Sequence, residues 1–244
     1  MQTTETKLHF MRVKTRVVNP PKDEIWDIID NLDVRDGDII FITSKILGIH
    51  QGRCVPMEGA DKLELIEREA QKYRRYESPY GPSVNLTITD NILICAAGID
   101  ESNANGHYIM WPKNVDALCR EIRERLVRRT GARNIGVVST DSHTQPLRWG
   151  VTGITTSLAG VSPLRDIRGD ADIFGRTMKM TQVNLIDPLT GIAVLLMGES
   201  AETTPIVILR GYTGIPFDDA GSMKDFLIRP EDDLYRPMLE WLDG

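Results

Sequence analysis

The sequence predicts a mixed α/β fold in which helices and strands alternate irregularly. Short apolar or alternating runs typical of strands lie between stretches with helical spacing. No regular βαβ period, internal repeat or low-complexity linker separates them. The 244 residues are enough for a well-buried core in one large domain or two small ones. Because the predicted segments are intimately mixed, we assign residues 1–244 to one α/β (mixed α+β) domain.

Four elements are predicted in the N-terminal third. Residues 7–18 alternate apolar and polar positions as a strand does, and the prolines that follow end it. Asp23 to Leu32 has apolar residues at helical spacing behind acidic residues, which favour a helix N-terminus. The apolar run "IIFITS" predicts a buried strand. Lys62 to Tyr76 then predicts an amphipathic helix that Pro79 to Pro82 ends.

The rest of the chain continues this mixture. "SVNLTITDNILICAAG" predicts a hairpin with Asp90 and Asn91 in its turn. Asn114 to Arg129 predicts a helix with Gly131 as its C-cap. The remaining predicted elements are a buried strand "NIGVVS", an alternating strand "MKMTQVNLI", a helix or strand "GIAVLLMG", a strand "PIVILRG" and a closing helix "EDDLYRPMLEWLDG".

Composition excludes several classes of protein. With 41% hydrophobic and 26% charged residues the chain is typical of soluble globular proteins, and no apolar run approaches the roughly 20 residues that span a bilayer. The N-terminus lacks a secretion signal, so we expect a cytoplasmic protein. A net charge of −6 argues against nucleic-acid binding. Cys54, Cys95 and Cys119 lack metal or disulfide spacing and are predicted to be buried small hydrophobes.

Three polar clusters each follow an apolar run, while P-loop, GxGxxG, HExxH and GxSxG motifs are absent. The clusters are Gly98, Asp100, Glu101, Ser102, Asn103, Asn105 and Gly106 after "NILICA"; Asp141 and Ser142 after "NIGVVS"; and Gly198, Glu199 and Glu202 after "GIAVLL". Carboxylates at the ends of neighbouring segments can converge, and hard oxygen ligands suit Mg²⁺ or Mn²⁺. The glycines beside them let a phosphate or metal approach the backbone.

Each cluster also has a plainer interpretation. Asp or Asn after a strand is more often a helix cap or Asx turn than a ligand. Arg148 can hold an anionic substrate bidentately or form an ordinary surface ion pair. Trp111 and Trp149 are predicted to be packing residues rather than base-stacking platforms. His143 is predicted to be a solvated loop histidine rather than a ligand or base.

Seven motifs occur in an order and spacing that resemble one family: "DGDIIFITSK", "AGIDESN", "WPKNVDALCREIRERL", "GVVSTDS", "PLRWG", "LLMGESAE" and "PIVILRG". The family is the coenzyme F420 gamma-glutamyl ligases, which attach glutamate to the deazaflavin cofactor precursor using GTP. The resemblance runs from about residue 23 to the C-terminus, and "AGIDESN", "STDS" and "MGE" are its most specific parts. It implies that family's unusual α/β fold and an intertwined homodimer with active sites near the interface.

The resemblance also implies roles for individual residues. Asp100, Asp141, Ser142 and Glu199 would hold two divalent ions, Mg²⁺ or Mn²⁺. The residues that would contact GTP, the co-substrate, are Ser44, Lys45, Asn103, Met197, Gly198, Glu199, Ser200, Ala201, Glu202, Thr203 and Thr204. Arg148 is our candidate catalytic residue for holding an anionic substrate. The expected partners are a nucleotide, glutamate and a small acidic acceptor.

The chain departs from the family at three places. His143 to Arg148 replaces the Asn-Gly-Arg run that usually follows the second cluster, and one expected arginine is missing. Ile49 stands in the place of a second lysine, and "RVVN" replaces a Leu-Pro segment that touches the nucleotide. Three hypotheses therefore remain open: the family's ligase, a ligase with a different acceptor or amino acid, and an inactive binding homologue.

Overall fold

The mixed α/β class is confirmed by the structure, a computed structural model that describes residues 7–77 and 83–240. The helices and strands of this part are, in chain order, β1 (His9–Val13), α1 (Trp26–Asp30), β2 (Asp38–Thr43), α2 (Ser44–His50), β3 (Cys54–Pro56), α3 (Lys62–Glu69), β4 (Lys72–Tyr76), β5 (Val84–Thr89), β6 (Ile92–Cys95), β7 (His107–Ile109), α4 (Val115–Thr130), β8 (Ile135–Thr144), β9 (Val151–Ala159), β10 (Leu164–Asp166), β11 (Gln182–Asn184), α5 (Ile186–Met197), β12 (Ile206–Arg210) and α6 (Arg236–Leu239).

A five-stranded sheet with the order β1-β12-β2-β8-β9 forms the centre of the molecule. β2 and β8 pair in parallel, and the other three pairs are antiparallel. The parallel register runs from Asp38 opposite Ile135 to Thr43 opposite Thr140. At its far end β8 continues beyond β2 and pairs with β9 alone, which makes a two-stranded ribbon.

Helices cover both faces of this sheet. Ile40 and Ile42 of β2 pack with α1, α2 and α4, whereas Ile39 and Phe41 pack with α5. Successive side chains of a strand point to opposite faces, so a fully apolar strand is expected where both faces are covered. This explains why "IIFIT" contains no alternation. In β9, Gly153 lies directly against α5, since a Cβ there would be 2.6 Å from the Thr190 carbonyl oxygen.

Three smaller sheets complete the described fold. β3 pairs with β7, β4 with β5 and β5 with β6, and β10 with β11, all antiparallel. The predicted β5–β6 hairpin is confirmed, with Asp90 and Asn91 in its turn at φ 50° and 60°. Such positive φ values at both turn residues suit the twist of a two-residue hairpin. Gly131, at φ 74°, ends α4 as predicted.

The predicted helix over Lys62 to Tyr76 is wrong in its second half. α3 ends at Glu69, and Lys72–Tyr76 forms β4. Ala70 is already extended, and the N–H of Gln71 donates to the carbonyl oxygen of Ile88 at 2.8 Å. Pairing with β5 has overridden the helical periodicity. Pro79 to Pro82, predicted to end the helix, lie outside the described residues.

Other predictions differ from the structure in length or type. The alternating strand "MKMTQVNLI" contributes three residues to β11 before α5 begins, and the ambiguous "GIAVLLM" belongs to that helix. The closing helix is reduced to α6 and a 3-10 turn at Pro230–Asp232, as far as residue 240. α2 and β9 were not predicted. None of the helices in the described ranges has the length and apolar character needed to cross a membrane.

The predictions for cysteine and tryptophan are confirmed in part. Cys119 is buried, whereas Cys54 and Cys95 are half-buried, and all three are free thiols. Trp111 is 1% exposed and packs in the core as predicted, but Trp149 is 92% exposed. The prediction for Trp149 is wrong because this residue lies in the turn between β8 and β9, past the covered face of the sheet.

We predict that Asp38→Ala strongly destabilises the fold. Asp38 is fully buried at the start of β2 and accepts hydrogen bonds from Arg210 Nε at 2.9 Å and Nη2 at 2.8 Å. Removing it leaves a largely buried guanidinium without its buried carboxylate partner, which typically costs about 3–5 kcal/mol. Urea denaturation measures the effect. Asp33→Ala is the control, because Asp33 is exposed, lies 3.4 Å from Arg210 and should contribute less than about 1 kcal/mol. Equal effects would contradict the prediction.

Candidate active site

A pocket of about 460 Å³ opens where the parallel pairing of β2 and β8 ends. Its volume is in the range of small-molecule sites, roughly 300–1,000 Å³. All residues that the resemblance assigns to metals or nucleotide line this pocket: Ser44, Lys45, Asp100, Asn103, Asp141, Ser142, Met197, Gly198, Glu199, Ser200, Ala201, Glu202, Thr203 and Thr204. The structure therefore brings all three polar clusters together.

The second cluster is positioned by the parallel strands. Thr43 lies opposite Thr140. The residues that follow them, Ser44 and Asp141, are therefore neighbours. The Ser44 hydroxyl donates to Asp141 Oδ2 at 2.6 Å, and the Ser142 N–H donates to Asp141 Oδ1 at 2.7 Å. Asp141 was predicted to follow the strand. It lies within β8 instead, because pairing with β9 continues past it.

The first cluster follows a left-handed turn. After β6, a 3-10 turn at Ala96–Gly98 has φ values of 53°, 53° and 68° in successive residues. Left-handed backbone costs roughly 1–2 kcal/mol for a residue with a side chain, so the two alanines make this turn strained. Its final residue is close to the Trp111 ring, since a Cβ at Gly98 would lie 2.1 Å from that ring. The turn leads directly to Asp100.

Asp100 is held by its own cluster and by α2. Lys45 Nζ lies 2.5 Å from Asp100 Oδ2 and also donates to the Ser102 hydroxyl at 3.0 Å. The N–H and hydroxyl of Ser102 donate to Asp100 Oδ1 at 2.8 and 2.9 Å. Burial acts to raise the pKa of Asp100, but the Lys45 ammonium and the Ser102 donors outweigh it and hold that pKa below its usual value. Asp100 therefore stays negatively charged.

The third cluster is a tight loop at the C-terminal end of α5. Gly198 has φ 81° and ψ 166°, and the Thr204 hydroxyl donates to the Met197 carbonyl oxygen at 2.6 Å. The Ser200 N–H donates to Glu202 Oε2 at 2.9 Å. Asn103 Nδ2 donates to the Ser200 carbonyl oxygen at 2.8 Å. This bond ties the third cluster to the first.

The charge of the pocket is unbalanced. Among the described residues, its lining contains four carboxylates and two cationic side chains: Asp100, Asp141, Glu199, Glu202, Arg16 and Lys45. Arg16 is fully engaged with two carboxylates outside the pocket, at 2.7 Å from Asp23 and 2.8 Å from Asp27. Lys45 is paired with Asp100. An anionic ligand thus meets a surface with excess negative charge.

The carboxylates disfavour each other's ionised forms. Burial raises the pKa of Asp141 to about 6, and the neighbouring charge of Asp100 adds to the rise. Burial also raises the pKa of Glu199 above its usual value, and the charges of Asp100 and Glu202 act in the same direction. A cation among these groups would relieve both the repulsion and the desolvation.

This donor set suits a hard divalent cation, although the side chains are not gathered around one. Within residues 7–77 and 83–240, no three His, Cys, Asp or Glu side chains lie close enough to form a metal site as they stand. The pocket nevertheless offers carboxylates and the Ser142 hydroxyl, which are oxygen ligands of the kind that Mg²⁺ and Mn²⁺ prefer. The residues present therefore fit such an ion chemically.

Two parts of the lining were not predicted from the residues themselves. Thr15 to Val18 form one wall, and the Thr15 N–H donates to the Thr203 carbonyl oxygen at 3.0 Å. This is the region where "RVVN" replaces the family's Leu-Pro segment. Ile46 and Ile49 of α2 add an apolar surface. No cluster of polar residues marked either segment, and the alternation over residues 7–18 predicted only a strand.

Arg148 and His143 are not brought into the pocket within the described chain. The lining contains neither residue. Arg148 is exposed in the turn between β8 and β9, and its Nη1 donates to the Leu147 carbonyl oxygen at 2.9 Å. His143 is half-buried within β8, opposite Thr152, rather than solvated in a loop as predicted, because the strand extends through it. Burial lowers the pKa of His143.

Comparison with known proteins identifies close relatives. The profile of a family described as F420-0:Gamma-glutamyl ligase matches residues 12–211. A protein of Methanococcus maripaludis named coenzyme F420:L-glutamate ligase is 38% identical over 255 aligned positions, which cover 97% of this chain and 100% of the relative. A protein of the same name from Methanopyrus kandleri is 35% identical over 215 positions, covering 80% of this chain and 83% of the relative.

We predict that Gly198→Ala destabilises the protein by about 1–3 kcal/mol, because its backbone conformation is one that side chains avoid. An added Cβ would also lie 2.4 Å from Glu202 Cδ. The free energy of unfolding is measured by urea denaturation. Gly191→Ala in α5 is the matched control: its Cβ would come no closer than 3.6 Å to Thr152 Oγ1. In a helix that change should be neutral or stabilise by up to about 1 kcal/mol. A neutral Gly198→Ala would refute the prediction.

Proposed function

Because the chain belongs to the F420-0:gamma-glutamyl ligase family, we propose that it joins L-glutamate to the coenzyme F420 precursor in a reaction driven by GTP and divalent metal ions. Members of the family are ligases that form a γ-glutamyl bond. One observation supports the finer proposal: every residue assigned to metals or nucleotide, drawn from distant parts of the sequence, lines a single pocket.

The proposed reaction has two steps. The terminal phosphoryl group of GTP passes to a carboxylate of the acceptor, giving an acyl phosphate and GDP. The amine of glutamate then attacks the acyl carbon, and the bond from that carbon to the phosphate oxygen breaks. An amide and inorganic phosphate form, and the amine loses a proton to solvent.

The side chains of the pocket would bind and orient these reactants. Lys45 is the cationic side chain of the lining that faces the carboxylates, so it is our candidate for contact with the phosphates. Asn103 fixes the loop from Gly198 to Thr204 through its bond to Ser200, which preforms that wall for the nucleotide. Apolar Ile46 and Ile49 exclude water beside it.

Asp100, Asp141, Ser142 and Glu199 are the residues that would hold the divalent ions. Bound metal ions would neutralise the transferring phosphoryl group, and charge neutralisation together with positioning is the main requirement of phosphoryl transfer. The four carboxylates of the lining and its two paired cations support this assignment. Without added positive charge, a triphosphate would enter a negatively charged pocket.

A second candidate is the same ligase chemistry with another acceptor or amino acid. Two observations favour it. Buried Ile49 replaces a cationic side chain of the family at the pocket wall. Arg148, which we selected to hold an anionic substrate, does not reach the pocket of its own described chain. Fewer cations at the site favour a less anionic acceptor.

Incubating the protein with GTP, Mn²⁺, glutamate and the deazaflavin precursor should yield GDP and a glutamyl adduct in equal amounts, measured by liquid chromatography and mass spectrometry. Asp141→Asn should lower the rate roughly 100-fold or more, since a metal-held charge contributes several kcal/mol to the barrier. Glu101→Gln is the matched control. Glu101 follows Asp100 in the same cluster but is exposed and outside the pocket lining, so the rate should stay within about twofold.

The outcomes separate the three hypotheses. Turnover with the deazaflavin precursor supports the family's reaction. GDP release that needs a different acceptor or amino acid supports the second candidate. Bound metal with no GDP released for any acceptor tested would exclude both ligases and leave an inactive binding homologue.

We further propose that the protein is a homodimer. Two hairpins carry strongly exposed apolar side chains: Leu147 and Trp149 between β8 and β9, and Ile173, Phe174 and Met180 between β10 and β11, each at least 87% exposed. Exposed apolar side chains that are grouped on a hairpin, rather than scattered singly, suit an interaction site. Arg148 lies on the first of these hairpins. Dimerisation through them would bury these side chains and place Arg148 at the interface.

Light scattering coupled to size-exclusion chromatography should give a mass of twice 27.4 kDa, about 55 kDa. Phe174→Glu should shift the protein toward the monomer, because a charge would be buried at the interface. Leu234→Glu serves as control: Leu234 is 85% exposed and outside both hairpins, so the dimer should persist. A wild-type protein that elutes as a monomer at micromolar concentration would disprove the proposal.

A further inference from the structure

The strained turn before Asp100 depends on a threonine from a neighbouring strand. Thr87 is fully buried in β5, opposite Ile94 of β6. Its hydroxyl accepts a hydrogen bond from the N–H of Ala97 at 2.9 Å and donates to the carbonyl oxygen of Ile94. One side chain therefore satisfies a polar group of the turn and one of the strand that leads into it.

A second contact on the turn comes from Trp111. Its ring packs so closely on Gly98 that no side chain fits between them. The indole N–H donates to Asp90 Oδ2 at 2.9 Å, which anchors the ring to the β5–β6 hairpin. Thr87 and Trp111 thus hold the left-handed turn at two successive residues, Ala97 and Gly98.

The turn sets where Asp100 lies. Directly after the turn Ile99 is buried, and Asp100 exchanges backbone hydrogen bonds with Ile109 at 2.9 and 2.8 Å. If the turn relaxed to right-handed backbone, the chain would leave β6 in another direction. Asp100 would then lose its place beside Lys45.

We propose that Thr87 is a positioning residue for the metal site: its hydroxyl holds the Ala96–Gly98 turn in its left-handed form and so places the Asp100 carboxylate. This inference rests on the proposed role of Asp100 as a metal ligand. Thr87 itself does not line the pocket and touches no reactant. Groups that orient metal ligands through hydrogen bonds typically change metal affinity by 10- to 100-fold when removed.

The same strand offers a matched control. Thr89 lies two residues further along β5 and is also buried, but its hydroxyl has no hydrogen-bond partner among the described residues. Thr89→Val therefore removes a buried hydroxyl without removing a hydrogen bond. Thr87→Val removes the same atom, and with it the hydrogen bonds to the Ala97 N–H and the Ile94 carbonyl oxygen. Thr87→Ser keeps the hydroxyl and should therefore keep the Mn²⁺ affinity.

The experiment titrates the full-length protein with Mn²⁺ alone and counts free Mn²⁺ by electron paramagnetic resonance. We expect the dissociation constant of Thr87→Val to rise at least about 10-fold, with Thr87→Ser within about threefold of wild type and Thr89→Val unchanged. Hydrogen exchange followed by mass spectrometry should show faster exchange over residues 95–99 in Thr87→Val only. Circular dichroism confirms that each variant is folded.

Each outcome decides the matter. The expected pattern supports the inference. If wild type and Thr87→Val bind Mn²⁺ equally, the inference is wrong while the proposed function stands. If Thr89→Val weakens binding as much as Thr87→Val, the effect is general loss of core packing and the inference is again wrong. If wild type binds no Mn²⁺, the inference and the metal assignment under it both fail.

Discussion

The parallel pairing of β2 with β8 is the constraint on which the candidate site depends. It places Thr43 beside Thr140, and from there the two chains separate, β2 into α2 and β8 into its ribbon with β9. Ser44 and Asp141 meet at this point of separation. The pocket is therefore anchored in the most buried part of the sheet, where the strands are covered on both faces.

Charge determines what that pocket can do. Asp100 is paired with Lys45. Burial raises the pKa of both Asp141 and Glu199, and the negative charge of Asp100 acts in the same direction on each. A cation bound among these carboxylates would therefore be stabilised. Three hydrogen bonds hold the carboxylates and loops of the pocket in place: from Ser44 to Asp141, from the Ala97 N–H to Thr87, and from Asn103 to Ser200.

Elements whose patterns lie within one segment are predicted correctly from the sequence. Elements whose structure depends on pairing with a distant segment are not. "IIFITS", the β5–β6 hairpin and α4 were predicted because apolar runs, turn residues and helical spacing lie within a single segment. Lys72–Tyr76 was misassigned because its pairing with β5 depends on residues beyond its own segment. The polar clusters marked the pocket, since carboxylates at the ends of apolar runs are conspicuous. Thr87 carried no such signal: a threonine in a strand is ordinary, and its role arises from a backbone group ten positions away.

Gly153 allows the β8–β9 ribbon to pack directly against α5. The ribbon projects from the sheet with its tip at residues 145–150, and near its base Gly153 is pressed against α5, opposite Ser142. The contact with α5 fixes the ribbon near its base, on the sheet side of the tip. Asp141, paired with Ile154, lies behind it. The tip can therefore differ in sequence from other family members while strand pairing and the contact with α5 fix the backbone that carries Asp141.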